Sequence, residues 1–247
     1  MRRLVTPLLI ISALAAQTAH AQFPPTKLQN LKVFPADIPV RALLDTMASF
    51  TRALGVRCTY CHVGEEGQPL SSFDFPSDKK PEKAKAREML RMVGAINGDY
   101  LTKLAARRTP SINVACATCH RGVTEPRPLQ QVVLNAYDAA GADSAEALYR
   151  ALRTRYYGRA AYDFGEVPLA DVGGALRARG KMADALRFYI LNTEMTPTSA
   201  FAFRQAADAQ LAAGDTAAAI RSFQQALTIN PNDRQAKGAM DKLGSKP

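Results

Sequence analysis

Two short cysteine–histidine motifs hold the residues of this chain that are best suited to chemistry. They are Cys58-Thr59-Tyr60-Cys61-His62 and Cys116-Ala117-Thr118-Cys119-His120, and they use all four cysteines of the sequence. This pattern is typical of covalent haem c attachment, in which the two thiols add to the porphyrin and the histidine binds the iron as proximal ligand. One helical turn brings both sulfurs to the same edge of the macrocycle. We therefore predict two covalently bound haem c groups, with attachment at Cys58, Cys61, Cys116 and Cys119 and proximal ligation by His62 and His120.

Three other uses of the cysteines are weaker. A zinc site made of four thiolates leaves the histidine after each pair unexplained. A thioredoxin-like redox pair would need a βαβ pattern, which the sequence lacks. Two structural disulfides would each have to bridge a strained pair.

The N-terminus has the pattern of an export signal over residues 1–21. Arg2 and Arg3 form a positive region, residues 4–16 are apolar, and Ala19-His20-Ala21 resembles a cleavage site before Gln22. We expect a periplasmic protein with no transmembrane segment after cleavage, because no other stretch is long and apolar enough. Cleavage also removes His20, which leaves no histidine outside the two motifs.

The chain is basic, with a formal net charge of +10. Nucleic-acid binding is not expected, because the chain is predicted to be exported and contains no nucleic-acid motif. A basic face for an acidic redox partner and a merely solvated surface are equally compatible with the charge. Much of the excess lies in Arg107, Arg108, Arg121, Arg127, Arg150, Arg153, Arg155 and Arg159.

The elements that must position the motifs are helices. Pro39 predicts the start of a helix that runs to Leu54, where Gly55 ends it just before the first motif. Pro81, with Asp78 as a possible cap, predicts a second, long helix that carries apolar side chains as far as Leu104. Helix, turn and haem motif therefore occur twice.

Methionine is the available distal ligand, because both histidines are used proximally. Met47 lies eleven residues before Cys58 and is predicted to bind the first iron. For the second iron we favour Met92 over Met89, which lies on the same helix face. Core packing of the methionines and an open, five-coordinate iron are the alternatives.

These residues resemble the cytochrome c subunit of photosynthetic reaction centres. The resemblance covers about residues 30 to 130 and rests on the segments 44–62, 92–101 and 114–122. It implies a helix with a distal methionine before each haem motif, which fits the spacing from Met47 to Cys58. Members of that family usually carry four haems, whereas this chain has motifs for two.

The C-terminal half contains an internal repeat of thirty-four residues, the tetratricopeptide period. Equivalent pairs include Gly180 and Gly214 at the turn between paired helices, and Tyr189 and Phe223 in the groove between repeats. A degenerate unit is expected over 143–157 and a capping helix over 233–243. A generic alanine-rich helical bundle is the alternative.

The sequence thus predicts an all-α protein with three parts: a signal peptide at 1–21, a dihaem cytochrome c domain at 22–130 and a tetratricopeptide-like repeat domain at 131–247. We expect an electron carrier, not an enzyme, that accepts and donates single electrons between redox proteins and uses the repeat domain to dock a protein or peptide partner. A dihaem peroxidase and a haem-based sensor or scaffold are the alternatives.

Overall fold

The computed structural model describes residues 22–105 and 109–244. The predicted signal peptide, Arg107 and Arg108 lie outside the described residues. Within these ranges the fold is helical and has no strand, only an isolated bridge between Val63 and Asp74. The all-α prediction is confirmed. The α-helices of the described residues are α1 (Val40–Leu54), α2 (Pro81–Ala95), α3 (Cys116–His120), α4 (Leu129–Tyr156), α5 (Glu166–Ala178), α6 (Met182–Met195), α7 (Ala200–Ala212), α8 (Thr216–Ile229) and α9 (Arg234–Gly244).

The chain divides into two compact units. One comprises residues up to 52 together with 56–116, and the other comprises 53–55 together with 117 onwards. The predicted domains, which divide after residue 130, stay a proposal. Among the described residues, no helix combines the length and the apolar character that crossing a membrane requires.

In the first unit, helix α2 is shorter than predicted. It begins at Pro81, as expected, because proline is well suited to the first helical position. The prediction of one helix as far as Leu104 is wrong, since α2 ends at Ala95 and a π-helical turn, Ile96–Tyr100, follows it. A 3₁₀ turn, Leu101–Lys103, comes next. Gly94 and Gly98 weaken the helix at this point, because glycine is a poor helix former.

Asp78 has a different role from the predicted helix cap. Its carboxylate accepts hydrogen bonds from Arg87 at 2.9 Å, Lys32 at 2.8 Å and Asn30 at 2.9 Å. These bonds, the Arg87 bond above all, hold the pKa of Asp78 far below its usual range. The contacts tie the extended lead-in around residues 30–32 to the loop before α2. Lys80 occupies the cap position of α2 without a side-chain cap bond.

In the second unit, the end of the α1 segment lies against the turn after His120. The backbone N–H of Gly122 donates to the carbonyl of Ala53 at 2.8 Å. Gly55 has φ +66°, and a Cβ atom at this position would collide with the carbonyl oxygen of Gly122. Glycine is therefore required at position 55 both by its backbone conformation and by the closeness of the neighbouring chain.

The remainder of the second unit is a stack of helix pairs. Helix α4 is interrupted at Ala140 and Gly141, so that its second half corresponds to the predicted degenerate unit. From α5 to α9, each helix packs on the next. Gly180 and Gly214 have φ +73° and +85° and form the turns between paired helices, as the period predicts. The chain after α4 is therefore a tetratricopeptide-like helical repeat.

Large side chains fill the grooves between these helices. The predicted groove residues Tyr189 and Phe223 are 2% and 0% exposed. They belong to two clusters, one formed mainly by α4–α6 and one formed by α7–α9. Complete burial of side chains of this size stabilises the repeat.

Candidate functional site

The first cysteine motif forms one tight helical turn. Residues Cys58–Tyr60 are a 3₁₀ turn, and the N–H groups of Cys61 and His62 donate to the carbonyl of Cys58 at 3.2 and 2.9 Å. Both cysteines are free and half-buried. Burial, with the charge of Glu82 as a second cause, raises the pKa of the Cys61 thiol. The turn presents two thiols and an imidazole within five consecutive residues.

The imidazole of His62 is fixed by the main chain. Its Nδ1 atom lies 3.3 Å from the carbonyl oxygen of Phe75. A carbonyl only accepts hydrogen bonds, so Nδ1 carries the proton and Nε2 keeps its lone pair. Burial, and then the charge of Lys83, lower the pKa of His62 and favour the neutral form that can bind a metal. The ring of Phe75 also packs edge-on against His62, with the centroids 5.0 Å apart.

The loop after the first motif folds back to bring Phe75 to His62. The N–H of Asp74 donates to the carbonyl of Val63 at 2.9 Å, which closes the loop. Phe73 stacks on Phe75 at 5.5 Å and is the one buried hydrophobic residue in the described part of the first unit. The sequence contains no signal for the Phe75 contact, because the acceptor is a backbone atom thirteen positions away.

The second motif is also a helical turn whose histidine lies against a main-chain carbonyl, but here the carbonyl is closer in the sequence. Helix α3 is a single turn that contains the whole motif, Cys116–His120. The Nδ1 atom of His120 lies 3.0 Å from the carbonyl oxygen of Val123, which therefore selects the same tautomer. Arg121 has φ +50°, so the chain turns sharply between His120 and Val123. Val123 itself is buried.

The side chain of Asn97 holds the segment that leads into the second motif. Its Nδ2 donates to the carbonyl of Val114 at 2.8 Å, and its Oδ1 accepts from the N–H of Val114 at 2.7 Å. Asn97 lies in the π-helical turn after α2, a type of turn that is frequent at functional sites. This paired contact fixes the backbone two residues before Cys116.

The predicted distal ligands lie on α1 and α2. Met47 is half-buried on α1. Met89 and Met92 are 40% and 45% exposed on α2, so neither is packed into a core. The assignment of Met47 to the first iron, and of Met92 or Met89 to the second, stays a prediction.

Both the donor set and the surroundings fit haem c. Each motif offers two thiols and a histidine whose free nitrogen is Nε2. The described part of the first unit also exposes large apolar side chains that could line a flat apolar macrocycle. These are Tyr60, Leu70, Met89, Met92, Tyr100, Leu104 and Ile112.

Across residues 22–105 and 109–244, no group of three or more His, Cys, Asp or Glu side chains is placed to hold a metal ion. The donor atoms are grouped motif by motif, in the manner that haem attachment requires.

The arginine run on α4 is largely engaged within the protein. Arg150 pairs with Glu194 at 2.6 Å and with Glu146 at 2.9 Å. Arg153 donates to the carbonyl of Met195 and stacks on Tyr157, with its guanidinium carbon 4.2 Å from the ring centroid. These side chains thus support the fold of the repeat unit, and they contribute less free positive charge than the sequence suggests.

Two Cys-x-x-Cys-His turns, each with a histidine whose tautomer is fixed by a main-chain carbonyl, are the arrangement typical of c-type cytochromes. Residues 40–138 match the model of one family within this class, the photosynthetic reaction centre cytochrome C subunit. The resemblance predicted from the sequence is therefore confirmed over this segment.

Two relatives show the same relationship. Cytochrome c-554 of Chloroflexus aurantiacus is 40% identical over 68 residues, which are 28% of this chain and 14% of the relative. The photosynthetic reaction center cytochrome c subunit of Rubrivivax gelatinosus is 34% identical over 88 residues, which are 32% of this chain and 22% of the relative. The matched segment thus spans less than a quarter of either relative.

Solved structures with helical repeats also align with part of this chain. The first TPR of Spaghetti, bound to an HSP90 peptide, is 17% identical, has a TM-score of 0.33, and aligns over 47% of this chain and 87% of its own. PcrH, in complex with the chaperone-binding region of PopB, is 20% identical, has a TM-score of 0.30, and aligns over 47% and 90%.

Proposed function

We propose that the protein is a periplasmic dihaem c-type cytochrome that transfers single electrons between redox proteins. The observation that carries this proposal is that His62 and His120 have the same hydrogen-bond arrangement. In both motifs a backbone carbonyl accepts from Nδ1 and leaves Nε2 as the free nitrogen. Such a second contact is what orients a metal-binding histidine and fixes its tautomer.

Each motif contributes the same set of groups. Cys58 with Cys61, and Cys116 with Cys119, hold one haem c each through thioether bonds. His62 and His120 present Nε2 on the proximal side. When bound, haem c supplies a one-electron ferric–ferrous couple, and a histidine–methionine ligand pair raises its potential.

The methionines complete the proposed sites. Met47 is the proposed distal ligand at the first site, and Met92 or Met89 is the proposed ligand at the second. Exposure of the α2 methionines supports this role over core packing, since a packed thioether would be buried.

The repeat unit is proposed to dock a partner. Tetratricopeptide-like stacks offer a concave surface to peptides or proteins. The redox donor and acceptor, and the protein or peptide partner of the repeat, are proposed to be periplasmic like the cytochrome itself.

A pyridine haemochrome assay tests the cofactor. The full chain is expressed in a host that matures c-type haem, and we expect two covalent haems per chain. The variant Cys58→Ala/Cys61→Ala and the variant Cys116→Ala/Cys119→Ala are each expected to retain one haem. Absence of covalent haem from the unmodified chain would overturn the proposal.

The visible spectrum tests electron transfer against a haem enzyme. A low-spin ferric spectrum with the weak far-red band of methionine–iron ligation supports the electron carrier. Met47, Met89 and Met92 are replaced by alanine one at a time: the Met47 variant should lose the methionine contribution of the first site, and one of the Met92 and Met89 variants should lose that of the second while the other keeps it. A high-spin ferric spectrum would instead point to peroxide or small-ligand chemistry.

A further inference from the structure

The carbonyl group that fixes His62 has a second, charged partner. The ammonium group of Lys83 donates to the carbonyl oxygen of Phe75 at 2.8 Å, and Nδ1 of His62 lies 3.3 Å from the same oxygen. One acceptor is therefore shared between the predicted proximal histidine and a lysine. Lys83 comes from α2, twenty-one positions after His62 in the chain.

Lys83 is held firmly in this position. Its ammonium also donates to the carbonyls of Pro76 and Ser77, each at 2.9 Å, and the side chain is only 14% exposed. Asp78 lies 3.2 Å away but is also bound by two further cations, Lys32 and Arg87. With three cations around one carboxylate, this cluster carries a net positive charge.

Lys83 affects the reduction potential of the first site in two ways, and both raise it. The hydrogen bond from the Lys83 ammonium occupies part of the acceptor capacity of the Phe75 oxygen, so that oxygen forms a weaker hydrogen bond with Nδ1–H of His62. Because this bond is weaker, Nε2 of His62 donates less electron density to ferric iron. A positive charge close to the site also favours the state that has gained an electron. Each effect makes reduction easier.

We propose that Lys83 is a positioning residue that raises the reduction potential of the haem at the first motif. The inference rests on the proposed function, because it needs haem bound through Cys58 and Cys61. It concerns a one-electron couple in which an external donor supplies the electron and no proton is taken up. Lys83 acts through the Phe75 carbonyl and does not touch the cofactor.

The test is a spectroelectrochemical titration of the full-length holoprotein. Lys83→Met removes the charge and the donor, and Lys83→Arg keeps both. Lys85→Met is the matched control, because it removes the same charge from the same helix at a side chain that is 74% exposed. We expect Lys83→Met to lower one of the two midpoint potentials by about 59 mV, a tenfold change in the one-electron equilibrium constant. Lys83→Arg and Lys85→Met should remain within a third of that shift.

The possible outcomes separate this inference from the proposed function. Two covalent haems with both potentials unchanged in Lys83→Met would overturn the role of Lys83 and leave the cytochrome assignment standing. Absence of haem from the unmodified chain would overturn the proposed function itself. If Lys83→Met does not mature, Lys83→Gln, which keeps a neutral donor, takes its place: a lowered potential supports the proposal, and an unchanged one overturns it.

Discussion

The paired contact between Asn97 and Val114 should control how tightly the lead-in to the second motif is held. Asn97→Ala removes both hydrogen bonds, at 2.8 and 2.7 Å, while the π-helical turn remains. A hydrogen bond contributes a net of about 1 kcal/mol, so the loss should be about 2 kcal/mol in the free energy of local opening. That value corresponds to about a 30-fold increase in the population of the open segment.

Hydrogen–deuterium exchange of the peptide that contains Val114 measures this opening directly. The N–H of Val114 donates to the Asn97 side chain, so its exchange rate should rise by about the same 30-fold in Asn97→Ala. Asn135→Ala is the control, because it removes an exposed asparagine from α4 and should leave this peptide unchanged. Exchange in Asn97→Ala within about twofold of the unmodified protein would refute the argument that the side chain holds the segment.

Three further predictions concern stability, measured by urea unfolding. Phe223→Ala should lower the free energy of unfolding of the repeat unit by about 3–5 kcal/mol, because the side chain is 0% exposed. The control Gln225→Ala changes an exposed side chain on the same helix and should change this free energy little. Equal effects of the two substitutions would contradict the packing argument. Gly55→Ala should lower the free energy of unfolding more than Gly67→Ala. Both positions have positive φ, but only at position 55 would the added Cβ collide with the carbonyl oxygen of Gly122. Similar losses of stability in the two variants would show that the collision is not the cause. Because folding lowers the pKa of Asp78, its contribution to the free energy of unfolding is present above the ordinary aspartate pKa and is lost as the pH falls below that value. Asp78→Asn should therefore reduce the loss of stability in acid. An unchanged dependence of stability on pH in acid would exclude Asp78 as a source of that loss.

The sequence predicted those features that depend on residue type and spacing. Pro39 and Pro81 mark the starts of α1 and α2 because proline fits the first turn of a helix. The thirty-four-residue period predicted the turns at Gly180 and Gly214, since a left-handed backbone favours glycine. Such local rules operate without knowledge of distant contacts.

Features that depend on main-chain acceptors or on contacts with other parts of the chain could not be predicted. The acceptors for the two histidines are main-chain carbonyls, which every residue possesses, so no residue type marks them. Asp78 was expected to be a helix cap because it lies near Pro81, but three cations from other parts of the chain bind it instead. The backbone segment that Asn97 holds lies seventeen positions further along the chain, and no residue type marks it.

The backbone carbonyls that fix His62 and His120 also determine which kinds of mutation the two sites can tolerate. A substitution at Phe75 or Val123 changes a side chain but keeps the carbonyl, so the tautomer-setting contact should survive most point mutations there. A deletion would move the carbonyl itself. The first site, with thirteen positions between donor and acceptor, has a long loop in which length can vary, whereas the second spans only three. Over evolutionary time the two motifs should therefore accept residue exchange alike but differ in insertions, with the turn after His120 of nearly constant length and the loop after His62 free to diverge.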